Sequence, residues 1–237
     1  MMKFRSISRI LSVVLLLPAS CAAFASEPNT LTQEEKNQGF VLLFDGKELS
    51  PELWQGNIAG YPVKDGIFYC GPKGGALLTK QAYSDFVFRF DVKLPPAGNN
   101  GVAMWAEGPG KDLSFEHGIE IQILDNFAEK YKNLKEYQFN GSLYGLQGAK
   151  RNPEKNDYLK PTGQWNAMEV VVKGTLVKVH INDETILEAD LAELRKKPTL
   201  SGKPQKGMFR DHGFIGFLGH RDPVEFRSVR IQGKPAP

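Results

Sequence analysis

The sequence predicts an all-β fold: an antiparallel sandwich of two curved sheets, a jelly roll, with one or two short helices. Three observations predict it. Apolar and polar residues alternate over run after run, the clearest being Phe86–Leu94, where Phe86, Phe88, Phe90, Val92 and Leu94 are apolar and Arg89, Asp91 and Lys93 are not. Turn residues punctuate the runs at Asp45-Gly46, Asp65-Gly66, Pro95-Pro96, Gly98-Asn99-Asn100-Gly101 and Asn182-Asp183. No strand–helix–strand spacing of the kind a parallel sheet requires occurs.

The chain opens with Lys3, Arg5 and Arg9, the apolar run Ile10–Leu17, Pro18, and small residues ending Ala23-Phe24-Ala25. This is the layout of a secretory leader over residues 1–25, cleaved after Ala25, and implies a periplasmic or extracellular destination. Cys21 supports an alternative, a lipid-anchored protein, although Pro18 stands where a lipobox wants Leu. The apolar run is far shorter than the roughly 20 residues of a membrane-spanning helix. Residues 26–37 form a lead-in, in which Thr32 and Glu35 are spaced as a capping box for a short helix.

Strands are expected at Leu42–Phe44, Ile67–Cys70, Phe86–Leu94, Gly101–Ala106, Gly118–Leu124, Trp165–Lys173, Leu176–Asn182, Phe214–His220 and Val224–Ile231. In the last, the apolar parity switches between Phe226 and Val229, which predicts a bulge at Arg227–Ser228. A second short helix is expected over Asp190–Lys197, stopped by Pro198. Lys150–Pro161 and residues 199–212 read as exposed loops within one domain, which runs to 232 and leaves 233–237 as a tail.

Of 237 residues, 41% are hydrophobic and 24% charged, an ordinary globular balance. The formal charge of +3 resides in the leader, since the remainder carries 27 basic and 27 acidic side chains. A neutral surface offers no footprint for nucleic acid or anionic lipid, so neither is expected as a partner. Cys70 alone would remain after cleavage, which rules out an intrachain disulfide.

Chemistry is expected on the strand Gly118–Leu124. Ile119, Ile121 and Ile123 share one face, which puts Glu120 and Gln122 together on the other, about 6.6 Å apart along the strand. Asp125 joins Glu120's face if the strand bulges near its end, giving the paired carboxylates that glycosidic cleavage uses. His220 has the parity of Phe214, Gly216 and Leu218, opposite Ile215 and Phe217, and so is expected to face a groove. Glu116-His117 with Glu120 lacks the order of a zinc helix motif, and no P-loop, dinucleotide fingerprint, G-x-S-x-G or C-x-x-C occurs. Trp54, Trp105, Trp165 and Tyr144 are candidates for stacking on sugar rings. Trp105 is the foremost, expected opposite Val102 and Met104 on its strand.

Nine short motifs recur together in one order: Leu43-Phe44-Asp45-Gly46-Lys47 with Trp54; Val63-Lys64-Asp65-Gly66; Tyr83-Ser84-Asp85-Phe86; Gly98-Asn99-Asn100-Gly101; Glu120-x-Gln122-Ile123-Leu124-Asp125-Asn126; Leu143-Tyr144-Gly145-Leu146; Gly163-Gln164-Trp165-Asn166; Gly213-x-Ile215-Gly216 with His220; and Pro223-Val224-x-Phe226-Arg227. Over residues 38–232 the chain resembles the 3-keto-disaccharide hydrolase family. The resemblance implies a concanavalin-like jelly roll, an exported bacterial protein, and a glycoside substrate oxidised at carbon 3. It departs from the family pattern at Trp105 and Leu218, both more apolar than usual there.

On that resemblance, Glu120 and His220 are expected to be acid and base in either order, and Arg89 or Asn100 to contact the enolate oxygen or the sugar. Gln122 is expected to orient a hydroxyl, and Trp105 or Tyr144 to stack. No cofactor is expected, and a divalent metal polarising the ketone is left open. Two other readings stand beside this one: a non-catalytic carbohydrate-binding module, and an ordinary retaining β-glucanase using Glu120 and Asp125. A Gln at 122, which cannot transfer protons, weakens the last.

Overall fold

A computed structural model of the protein describes residues 27–110 and 117–236. The predicted leader, its cleavage site, Cys21 and Glu116 lie outside the described residues. Helix α1 (Gln33–Gln38) is capped as the sequence predicts, Thr32 accepting from the Glu35 N–H while Glu35 accepts from the Thr32 N–H. Strands follow in order: β1 (Val41–Leu42), β2 (Trp54–Gly56), β3 (Val63–Lys64), β4 (Ile67–Tyr69), β5 (Leu77–Thr79), β6 (Tyr83–Lys93), β7 (Asn99–Ala106), β8 (Ile119–Leu124), β9 (Trp165–Lys173), β10 (Leu176–Ile181) and β11 (Glu184–Asp190). The short helix α2 (Leu191–Leu194), N-capped by the Asp190 carboxylate, precedes β12 (Phe214–Phe217) and β13 (Glu225–Pro235).

Two antiparallel sheets form a sandwich. One has eight strands in the order β11-β10-β9-β6-β13-β4-β3, with β1 also on β13; the other has five, in the order β2-β5-β12-β7-β8. Aromatic rings from both sheets fill the space between them. Phe217 of β12 lies 4.1 Å, centroid to centroid, from Phe226 of β13, and Phe68, Phe88 and Phe90 pack around them. Rings of this size bury large apolar areas, and Cys70, the one cysteine among the described residues, is free. The bulge expected at Arg227–Ser228 is present: the β6–β13 register shifts between Arg227 and Arg230, and Ser228 takes a φ of 53°.

Four strands escape the sequence pattern. β2, β3 and β5 have two or three residues each, too few to show a period, and the burial of β11 does not alternate. The segment 150–161 is also less exposed than expected. Asp157 is buried there, accepting from Arg151, the Asn126 side chain and the Asn152 N–H, and it pins a turn in which Asn156, Asp157 and Tyr158 all have positive φ.

On the outer face of the eight-stranded sheet, the buried Glu35 carboxylate accepts from Arg230 and Arg89 and ties α1 to β6 and β13. No helix among the described residues is long and apolar enough to cross a membrane.

Candidate active site

The five-stranded sheet turns Val102, Met104, Ile119, Ile121, Ile123, Ile215 and Phe217 inward to the core. By alternation, Gly101 and Ala103 on β7 and Glu120 and Gln122 on β8 belong to its outer face. The β7–β8 ladder runs from Asn99↔Leu124 to Met104↔Ile119 without a shift, so this parity holds from Asn99 to Met104 on β7 and along all of β8. β12 flanks β7 on the other side, and the chain beyond it continues to His220. Glu120 and His220 therefore approach from the two flanking strands across β7, and Glu120 Oε1 lies 3.3 Å from His220 Nε2.

The middle strand permits this because position 101 has no side chain. A Cβ on Gly101 would stand 2.4 Å from Glu120 Oε1 and 2.9 Å from its Cγ, so the carboxylate occupies the space a side chain would fill. The hydrogen bond to Glu120 raises the His220 pKa. Burial opposes this, the charges of Glu120 and Asp222 add to it, and the net direction is upward. The pair thus favours a protonated imidazole against a carboxylate.

Residues 141–144 cover the free edge of β8. The Gln122 N–H donates to Ser142 O, the Gly141 N–H to Gln122 O and the Tyr144 N–H to Glu120 O. That pairing brings Tyr144 beside Glu120, with its hydroxyl accepting from Gln138 Nε2 at 2.9 Å. Burial raises the Tyr144 pKa, the Gln138 hydrogen bond lowers it, and the Glu120 charge adds to the rise; the net shift is upward, so the phenol stays protonated. Gln122 is buried, and its Oε1 finds no hydrogen-bond partner among the described residues. Gln122 follows Glu120 by two residues on the same face of β8.

Glu120, His220, Gln122 and Tyr144 are thus brought together, and the other expected residues are placed elsewhere. Asp125 follows β8 without a bulge, five residues from Glu120. Its carboxylate accepts from the Ala97 N–H at 2.8 Å and the Phe127 N–H at 3.3 Å, holding two turns. The pair of a retaining glycosidase, with carboxyls about 5–5.5 Å apart, is not formed across a strand rise of roughly 16 Å.

Arg89 lies on β6 of the opposite sheet, bound to Glu169 and Glu35. Asn100 has the core parity and is fully buried; its Oδ1 accepts from the Gly101 N–H at 2.8 Å and the Gly219 N–H at 3.3 Å.

Trp105 faces the core, contrary to the parity expectation. Its φ of 55° and the register shift against β12 mark a bulge, which turns the indole inward, where Nε1 donates to Ser84 O at 3.0 Å. Trp54 is fully buried, donating to Leu43 O. Trp165, on β9 of the eight-stranded sheet, carries Arg227 at 4.3 Å from its ring. Sequence reasoning placed Gly101 where a turn meets the strand Gly101–Ala106 but missed its part in the site, and it missed the contributions of Gln138 and Asp222. Only spatial neighbours reveal these. Among the described residues no three His, Cys, Asp or Glu side chains cluster as a metal site would.

Comparison with known proteins adds four likenesses. A sequence model of the 3-keto-alpha-glucoside-1,2-lyase-like domain matches residues 39–232. A 3-keto-disaccharide hydrolase of Bacteroides thetaiotaomicron is 25% identical over an alignment of 250 positions, covering 88% of this chain and 83% of that protein. Two candidate glycosyl hydrolases of Parabacteroides distasonis, known from crystal structures, share the fold. One has a TM-score of 0.72 at 26% identity, covering 88% of this chain and all of that one. The other has 0.70 at 27%, covering 82% and 99%.

Proposed function

The chain belongs to the 3-keto-alpha-glucoside-1,2-lyase-like family of glycoside-acting enzymes, and on that premise we propose that Glu120 and His220 cleave 3-keto-glycosides by elimination across carbons 1 and 2. The observation that carries this reading is the 3.3 Å contact between a carboxylate and an imidazole biased toward its protonated form, on one face of the sheet.

A ketone at carbon 3 acidifies the hydrogen at carbon 2. Glu120 takes that proton, and the electron pair enters the enolate. The enolate then re-forms the ketone and a carbon 1–carbon 2 double bond, expelling the carbon 1 oxygen. His220 gives that leaving oxygen its proton. Addition of water across the new double bond, oxygen to carbon 1 and hydrogen to carbon 2, completes a net hydrolysis. Gln122 orients a sugar hydroxyl from the same face of β8, and Tyr144 presents its ring and protonated hydroxyl at the rim.

The test is incubation with a 3-keto-disaccharide and with the same disaccharide unoxidised. Cleavage of the oxidised sugar alone is expected. Cleavage of the plain sugar would instead indicate an ordinary glycosidase, and binding without turnover a lectin-like module.

Export belongs to the same proposal and draws its support from the Lys3–Ala25 pattern. Mass spectrometry of the protein from its host is expected to find a chain beginning at Ser26. A diacylglycerol mass on Cys21 would indicate anchoring instead.

A further inference from the structure

We propose that Asn100 and Gly101 are the positioning pair that sets the contact between Glu120 and His220, an inference that rests on the catalytic reading of that contact. The two adjacent residues act through opposite faces of β7. Gly101, on the outer face, leaves the gap into which the Glu120 carboxylate extends; a Cβ there would collide with Oε1 at 2.4 Å, Cγ at 2.9 Å and Cδ at 3.0 Å. The backbone of 101 is not in the left-handed region, so conformation does not account for the glycine. The space it leaves for Glu120 does.

Asn100, on the core face, holds the other partner. Beyond the end of β12 the Leu218 N–H donates to Gly101 O at 2.9 Å, and the next amide, Gly219 N–H, donates to Asn100 Oδ1. The same Oδ1 accepts the Gly101 N–H, so one side-chain oxygen fastens the residue before His220 to the residue beneath Glu120. Gly219 has a φ of 65° and packs so closely that a Cβ would stand 2.6 Å from Gly75 O and 2.7 Å from the Tyr61 hydroxyl. The approach to His220 is therefore fixed from below by Tyr61 and Gly75 and from the side by Asn100. Asn100 and Gly101 touch no reacting atom and act through Glu120 and His220.

The experiment reads the contact directly, by NMR titration of the His220 imidazole in wild type, Gly101→Ala, Asn100→Ala and Glu120→Gln. Circular dichroism and thermal unfolding confirm that each variant is folded. Asp222 is common to all four proteins and cancels in the comparison. Wild-type His220 is expected to titrate above the ordinary value near 6.5. Gly101→Ala should move it most of the way to the Glu120→Gln value, and Asn100→Ala should move it in the same direction. In both variants kcat should fall about tenfold or more, with KM changing by no more than about threefold.

A folded Gly101→Ala whose His220 titrates with wild type overturns the proposal. If Gly101→Ala does not fold, an unmoved His220 in Asn100→Ala does so. Full activity of Glu120→Gln would sink the catalytic reading while the titration still decides the positioning, so the two failures are distinguishable.

Discussion

Glu120 and His220 meet at 3.3 Å although they stand 100 positions apart and an entire strand, β7, runs between the strands that bring them. The pairing depends on one glycine in that strand, and it biases the imidazole toward its protonated form. A proton acceptor and a proton donor on one face are the minimum an elimination needs.

Replacing Glu120 by Gln keeps the shape and removes the base. The expected loss in kcat is about 10²–10⁴-fold, with substrate affinity nearly retained. Steady-state kinetics and a direct binding measurement on Glu120→Gln test this, and activity within a few-fold of wild type would remove Glu120 from the proton transfer.

The pH profile follows from the direction of the His220 shift. A raised pKa means that the protonated donor persists above the ordinary histidine range and is lost as pH rises through the elevated value. The alkaline limb of kcat/KM should therefore lie above about pH 6.5, and Asp222→Asn should move it to lower pH. By the same sign, the stability that the pair contributes is full below the unfolded value and declines as pH rises through the folded one. An alkaline limb that does not move when Asp222 is neutralised would count against His220 as the acid.

Elimination requires the carbon 2 hydrogen to leave. Turnover of a 3-keto-disaccharide in heavy water, followed by NMR before background exchange, should place deuterium at carbon 2 at the rate of cleavage. Product that keeps its original hydrogen would instead point to direct hydrolysis.

Trp105 is a core residue here, so its loss should be felt in stability and not in binding. Trp105→Phe gives up the Nε1–H bond to Ser84 O and part of the ring volume, at a cost of about 1–3 kcal/mol. Denaturant unfolding should show this loss while KM stays within about twofold. A large rise in KM with unchanged stability would return Trp105 to the substrate groove.

Much of this architecture was legible in the order of residues, because the features concerned are local. The alternation of Phe86–Leu94 reads directly as β6, the Thr32 and Glu35 spacing as the cap of α1, and the parity switch near Ser228 as a bulge. Strand parity also put Glu120 and Gln122 on one outward face. Other features depend on partners far along the chain. The bulge that turns Trp105 inward shows only as a register shift against β12, so its parity misled. Arg89 follows the alternation correctly, yet which sheet β6 joins is decided by its pairing with β9 and β13. Asn100 and Gly101 look like turn residues in sequence, and become floor and fastener only because β12 and β8 pair on either side of them. Side-chain alternation is a property of one strand and is written in its own residues. The meeting of a carboxylate and an imidazole across a third strand is a property of sheet order and register, which only the folded chain decides.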